Sequence, residues 1–226
     1  MLGIGRRASG AVTDPFWASV VLLAVQENGT DGDTTFVDAS DSGHTLTAAG
    51  NAQWDTAAAP TGLTSSLLLD GNGDSVTAAD HANWDLAGDF TIEAWDRPDD
   101  KTVRRIVAAW SANVGWSFGY IDTDQLLFTI NGTNISSNAT TLATDAFGHR
   151  AVTRSGTTVS FWNNGTKVSD HTNATSIAPA VALHIGRNDS GAFPQYYDGW
   201  IAGVRITQDC RYTEDFTPPT VPYPTS

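Results

Sequence analysis

Apolar and polar positions along the chain fall into short runs broken by turn residues. Ser19–Val25 is an apolar run ended by Asn28-Gly29 and Asp31-Gly32-Asp33. Phe90–Trp95 alternates cleanly, with Phe90, Ile92 and Ala94 on one side and Thr91, Glu93 and Trp95 on the other. That period of two marks a strand whose two faces meet different surroundings. Further runs occupy Thr35–Asp38, Ser66–Asp70, Arg105–Trp110, Gly115–Ile121 and Gln125–Ile130. His149–Arg154 and Thr158–Trp162 flank Ser155-Gly156, and Asn163-Asn164-Gly165 leads into Thr166–Ser169, so two hairpins are expected there. Ala182–Gly186 and Trp200–Thr207 complete about a dozen strands, and no stretch carries a convincing helical period. Strands of this kind hide their apolar sides by facing two sheets together. The pattern predicts an all-β chain folded as one antiparallel two-sheet sandwich.

Composition narrows the picture. The 226 residues are 40% apolar, with eight Trp and nine Phe, enough to fill a core and to exclude global disorder. The longest apolar stretch, Val20–Val25, is far short of the roughly 18 residues of a spanning helix, so no membrane insertion is expected. The net charge of −13 repels phosphate backbones and anionic bilayers, which argues against nucleic-acid partners. The single cysteine, Cys210, excludes an internal disulfide and suits a reducing compartment, or a bacterial or viral protein. Arg6 and Arg7 precede an apolar stretch, but Asp14 and Pro15 interrupt the approach to it, so no export leader is expected. The first 13 residues carry those two arginines and no acid, against ten Lys+Arg and 25 Asp+Glu in the rest. This charge step predicts an N-terminal anchoring arm over residues 1–15, with Arg6 and Arg7 docked on a partner. A body over residues 16–219 and a C-terminal tail over 220–226 follow.

Five strings in order resemble the concanavalin A-like jelly roll in its laminin G-like form. They are Ser66–Val76 (SLLLDGNGDSV), Gly88–Trp95 (GDFTIEAW), the pair Arg150–Gly156 (RAVTRSG) and Val159–Gly165 (VSFWNNG), Leu183–Arg187 (LHIGR), and Gly199–Ile206 (GWIAGVRI). The ends resemble a narrower group. Asp14–Leu23 (DPFWASVVLL), Asn28–Asp38 (NGTDGDTTFVD) and Arg211–Pro219 (RYTEDFTPP) are similar to laminin G-like proteins of tailed bacteriophages. The resemblance implies a non-enzymatic structural protein on the virion surface, tail-associated or decorating the head, made in the host cytoplasm. Its partners would be other virion proteins and copies of itself. A carbohydrate-binding adhesin that recognises host-surface glycans is the first alternative, and a glycosidase or lyase the second.

The candidate chemistry is sparse. Glycosidases on this fold need paired carboxylates that share a face, and Glu93 and Asp96, three apart on one strand, do not. Asp122 and Asp124 have the right spacing but lie in a turn. No nucleophile elbow is present, and His44, His81, His149, His171 and His184 lack metal-ligand spacing. No catalytic residue is therefore assigned. Asp70-Gly-Asn-Gly-Asp74 offers hard oxygens to calcium, and related domains sometimes hold a cation at the sandwich rim. The closing strand has Ala202 and Gly203 where the resemblance leads one to expect carboxylates, so no cofactor is expected, with Asp70 and Asp74 as the ligands if a cation binds. Sugar stacking needs exposed rings with polar neighbours. The loop from Phe193 offers Gln195, Tyr196, Tyr197, Asp198 and Trp200, and Trp84, beside His81, Asn83 and Asp85, is a second candidate. Seven N-x-Ser/Thr triplets, the first at Asn28, are read as products of Asn-Gly turns and Thr-rich strands.

Overall fold

The computed structural model describes residues 13–100, 102–121, 124–189 and 195–226. Arg6 and Arg7 lie outside the described residues. Among the described residues the strands are β1 (Val20–Ala24), β2 (Leu46–Ala49), β3 (Gln53–Asp55), β4 (Ser66–Asp70), β5 (Ser75–Ala78), β6 (Phe90–Pro98), β7 (Arg104–Ser111), β8 (Val114–Ile121), β9 (Gln125–Ile130), β10 (Thr133–Ser136), β11 (Gly148–Ser155), β12 (Thr158–Asn163), β13 (Thr166–Thr172), β14 (Leu183–Ile185) and β15 (Asp198–Thr207). A back sheet of eight strands runs β13-β12-β11-β6-β15-β4-β3, with β1 also paired to β15. A front sheet of seven runs β10-β9-β8-β7-β14-β5-β2. All pairings between named strands are antiparallel, and successive stretches of chain cross between the sheets, as in a jelly roll.

The expected hairpins are present: β11 pairs β12 and β12 pairs β13. Four strands escape the sequence pattern, among them the four-residue β5, which lies between β14 and β2. β2, β3 and β10 end their sheets, so at most one side of each ladder is paired and the apolar demand on their residues is weak. The Thr35–Asp38 run is not a full strand; it makes only the isolated bridges of Val37 to Thr45 and Asp38 to Ala24.

Phe90, Ile92 and Ala94 point between the sheets as predicted, joining Trp116, Phe118 and Phe128 of the front sheet in one apolar core. Much of the opposite face of the back sheet is covered as well, although Trp95, Arg97 and Trp200 on it stay half-exposed. Asp14, Phe16 and Trp17 at one end of the body, and the segment from Arg211 to Tyr223 at the other, lie across it. Val221 and Tyr223 are buried there against Val20, Leu23 and Ala202. Gly203 sits where β15 changes neighbour from β4 to β1. Its φ of +55° and its N–H bond to Val25 O form the bulge, and an added Cβ would lie 2.6 Å from Val221 Cγ1. The terminal segments thus cover much of the back sheet, and the candidate site lies on the front sheet.

Candidate functional site

A single polar row crosses the outer face of the front sheet. Register places Thr47 opposite Thr77, Thr77 opposite His184, His184 opposite Ala108, Ala108 opposite Ser117, Ser117 opposite Thr129, and Thr129 opposite Asn134. Side chains on one face of paired strands stand side by side, so these residues form a band across all seven strands. Thr77 Oγ1 lies 3.0 Å from His184 Nδ1, and Thr129 Oγ1 donates to Asn134 Oδ1 at 2.9 Å. Burial, and then the nearby Arg187, lower the His184 imidazole to about 4, so it is neutral at pH 7. The middle of the band carries only small side chains, and an open cavity of about 350 Å³ lies over it.

Arg105 and Trp110 from β7, Asn113 from the β7–β8 turn, Asn134 from β10, and Asn188 and Gln195 from the segment before β15 surround this cavity. Asn188 and Gln195 hold one another through two hydrogen bonds, Nδ2 to Oε1 at 3.1 Å and backbone N–H to Oδ1 at 3.0 Å. Arg105 is 5% exposed and lies along β8. Its Nε donates to Ser117 Oγ at 3.0 Å, and its Nη1 to the carbonyls of Tyr120 at 3.0 Å and Arg104 at 3.1 Å. Gly119 opposite it lets the β7 backbone come close, since a Cβ there would collide with Arg104 O. Amide groups, hydroxyls and a guanidinium beside an indole are the groups that recognise vicinal hydroxyls by hydrogen bonds.

The structure redistributes the ring residues expected to contact sugar. Trp84 is a correction: it is wholly buried, donates from Nε1 to Ala79 O at 2.9 Å, and accepts from Trp116 Nε1 at 2.8 Å through its carbonyl. Its polar sequence neighbours sit on a short 3₁₀ turn that drives the indole inward. Tyr197 is a second correction. It is fully buried, and its hydroxyl donates to Asp96 Oδ2 at 2.7 Å, in a cluster with Tyr120 and Arg150. Tyr196 and Trp200 are partly exposed but lie apart from the cavity: Arg187 stands over the Tyr196 ring, while Trp200 packs under Arg97 and donates to Asp55 Oδ1 at 3.1 Å. Asp198 faces Arg104 at 3.7 Å. Among the described residues of the predicted loop, Gln195 alone lines the cavity.

Asp70 and Asp74 organise their own turn. Asp74 accepts the backbone N–H groups of Asn51 and, at 2.9 Å, Asp70; Asp70 accepts that of Asn72 at 2.8 Å. Burial raises the Asp74 carboxyl. Among the described residues no cluster of three or more metal-binding side chains is formed. Glu93 and Asp96 do point to opposite faces of β6, and both are wholly buried, Asp96 between the sheets and Glu93 beneath the chain ends.

Sequence reasoning missed Arg105, Ser117, Thr129, Asn134 and Asn188. They lie in different strands and turns, up to 83 positions apart, and only the register of the strands and the fold bring them together. The available signal was Arg105 itself, a cation opening an otherwise apolar strand.

The model of the concanavalin A-like lectin/glucanases superfamily matches residues 70–215. The chain belongs to this superfamily. No curated protein matches it. Solved structures similar to this lectin-like domain include the binding domain of a paraclostridial mosquitocidal protein, at TM-score 0.67 and 14% identity over 87% of this chain and 50% of that one. Another is from botulinum neurotoxin type C, whose passage into cells depends on interaction with two ganglioside molecules. It aligns at TM-score 0.66 and 17% identity over 87% of this chain and 49% of that one. The binding domain of botulinum neurotoxin DC in complex with rat synaptotagmin II aligns at TM-score 0.65 and 16% identity, over 87% and 50%. The chain spans about half the length of these structures, and at such identities the likeness is one of fold.

Proposed function

We propose that this lectin-like domain is a non-enzymatic recognition module that binds glycan on the outer face of its front sheet. The observation that carries this reading is the polar row with its cavity, where one indole, one guanidinium and several amides converge on an open floor. Among the described residues no carboxylate lines that cavity, and the groups present there suit binding. Solved structures similar in fold include ones described with gangliosides and with rat synaptotagmin II, which agrees with a surface-recognition role. Asn134 is exposed at the cavity rim. Asn134→Trp should fill the cavity while changing stability by no more than about 0.5 kcal/mol, as exposed substitutions do. On a glycan array, the unaltered chain is expected to bind and Asn134→Trp to lose at least about 1.4 kcal/mol, a tenfold loss. Binding unaffected by that substitution places recognition elsewhere.

We further propose that the module is displayed on a phage virion, made in the host cytoplasm, with other virion proteins and copies of itself as partners. The support is the resemblance of both chain ends to laminin G-like phage proteins. In the fold those two strings meet: Asp14 takes Arg211 at 2.7 and 2.9 Å and Arg205 at 3.2 Å. Deleting residues 1–13, which carry Arg6 and Arg7, should leave the sandwich folded by circular dichroism and lower its occupancy in purified particles. Normal occupancy would move the anchor to the body.

A further inference from the structure

Arg105 and Arg104 are neighbours with different fates. Arg104 is neutralised by Asp100 at 2.6 Å, faces Asp198 at 3.7 Å, and donates to Tyr196 O at 2.8 Å. Asp189, the acid beside Asn188, lies 3.8 Å from Arg187. Arg105 has no carboxylate within ion-pair distance among the described residues, although it is the more buried of the two arginines. Its partners are one hydroxyl and two carbonyls, and all three bind Nε or Nη1. Nη2 makes no hydrogen bond within the described part of the chain, and the residue lines the cavity. Burial lowers the guanidinium to about 10, so it remains a cation at neutral pH.

A desolvated cation without a counter-charge destabilises a fold. Arg154 is buried without a carboxylate too, but each of its three nitrogens donates to a backbone carbonyl, whereas Arg105 keeps Nη2 unbonded among the described residues and lines the cavity. From this, and resting on the glycan reading above, we infer that the ligand brings the missing anion: the cavity takes a sugar bearing a carboxylate, held by Arg105 while the surrounding amides take its hydroxyls. The net charge of −13 limits the anion. A polyanionic chain would be repelled by the body as a whole, whereas one carboxylate at contact distance is held locally. The ligand class is therefore an oligosaccharide with an isolated acidic residue among neutral ones, not a densely sulfated polymer.

The test uses the full chain and matched sets of oligosaccharides: a terminal uronic or sialic acid, the methyl ester of each, and the neutral parent. The carboxylated form is expected to bind at least about tenfold tighter than its ester, the size of one charge-assisted hydrogen bond. Arg105→Gln is expected to abolish that preference and to melt no lower than the unaltered chain, because it removes an uncompensated charge. Equal binding of acid, ester and parent would overturn the acidic-ligand inference and leave the glycan reading standing. Binding of none of them would overturn both. Should Arg105→Gln fail to fold, the comparison of acid with ester on the unaltered chain still decides.

Discussion

Replacing Glu93 by alanine is expected to remove about 3–5 kcal/mol of stability, the usual cost of stranding the partner of a buried charge. Glu93 is wholly buried beneath the chain ends. Its Oε1 accepts from Arg205 Nε at 2.8 Å, and its Oε2 accepts from the Tyr212 hydroxyl at 2.9 Å and lies 2.9 Å from His149 Nε2. Arg205 continues to Asp14 at 3.2 Å and stacks over the Tyr223 ring at 4.0 Å. One carboxylate thus ties β6 to β11, β15 and both terminal segments. Urea denaturation checks the loss, and an unchanged midpoint would refute it.

The same group gives the fold an acid-labile component. Burial alone would raise the Glu93 carboxyl, but Arg205, the His149 hydrogen bond and Arg211 outweigh it and hold the group far below the usual carboxylate range. A depressed folded-state pKa stabilises the fold at pH values above the unfolded one, and that contribution is lost as pH falls through the folded one. Asp14 is lowered in the same way, against its own burial, by Arg211, the Phe16 N–H and Arg205, while burial raises Asp96 and gives it the opposite slope. Stability should therefore fall steeply below about pH 4.5, and Glu93→Gln should flatten that limb. A limb equally steep in Glu93→Gln would assign acid lability to other carboxylates.

Removing residues 220–226 is expected to cost about 3–6 kcal/mol, from two buried side chains at about 1.5–3 kcal/mol each. Val221 and Tyr223 are each 2% exposed and cover Val20, Leu23 and Ala202. The backbone joins in: Tyr223 N–H donates to Gln26 Oε1 at 3.0 Å, and Asp14 N–H donates to Ser226 O at 2.7 Å. Gly62 is required for the approach, because at its φ of +103° an added Cβ would run into Val221 O. The truncated chain should melt earlier and bind a dye specific for exposed apolar surface. Val221→Ala with Tyr223→Ala should reproduce most of the effect. A truncated chain as stable as the full one would make the segment a mere appendage.

The alternation in Phe90–Trp95 showed which residues would face the core, because a strand's side chains have no choice but period two. Turn residues such as Ser155-Gly156 and Asn164-Gly165 likewise placed two hairpins correctly. The edge strands β2, β3 and β10 left no apolar run to read, since a strand covered on fewer sides needs fewer apolar residues, and only its turn residues placed the edge strand β13. Exposure was read less well. Trp84 and Tyr197 stand among polar sequence neighbours, and each turns its ring inward while its one polar atom finds a partner, Ala79 O or Asp96.

By itself the sequence determined the class of fold, the acidic body with its basic first residues, and the separation of Glu93 from Asp96 onto opposite faces of one strand. These follow from local periodicity, composition and charge, which need no knowledge of neighbours. Only the tertiary structure decided which outer sheet face stays open. The chain ends settle on the back sheet because its apolar Leu23 and Ala202, and the ion pairs of Glu93, Asp14, Arg205 and Arg211, are completed there. The front sheet is left to form the cavity, from residues whose only relation is the register of strands far apart in the chain. Register is set by the whole sandwich at once, so no local stretch of sequence could announce that Arg105, Ser117, Thr129 and Asn134 meet.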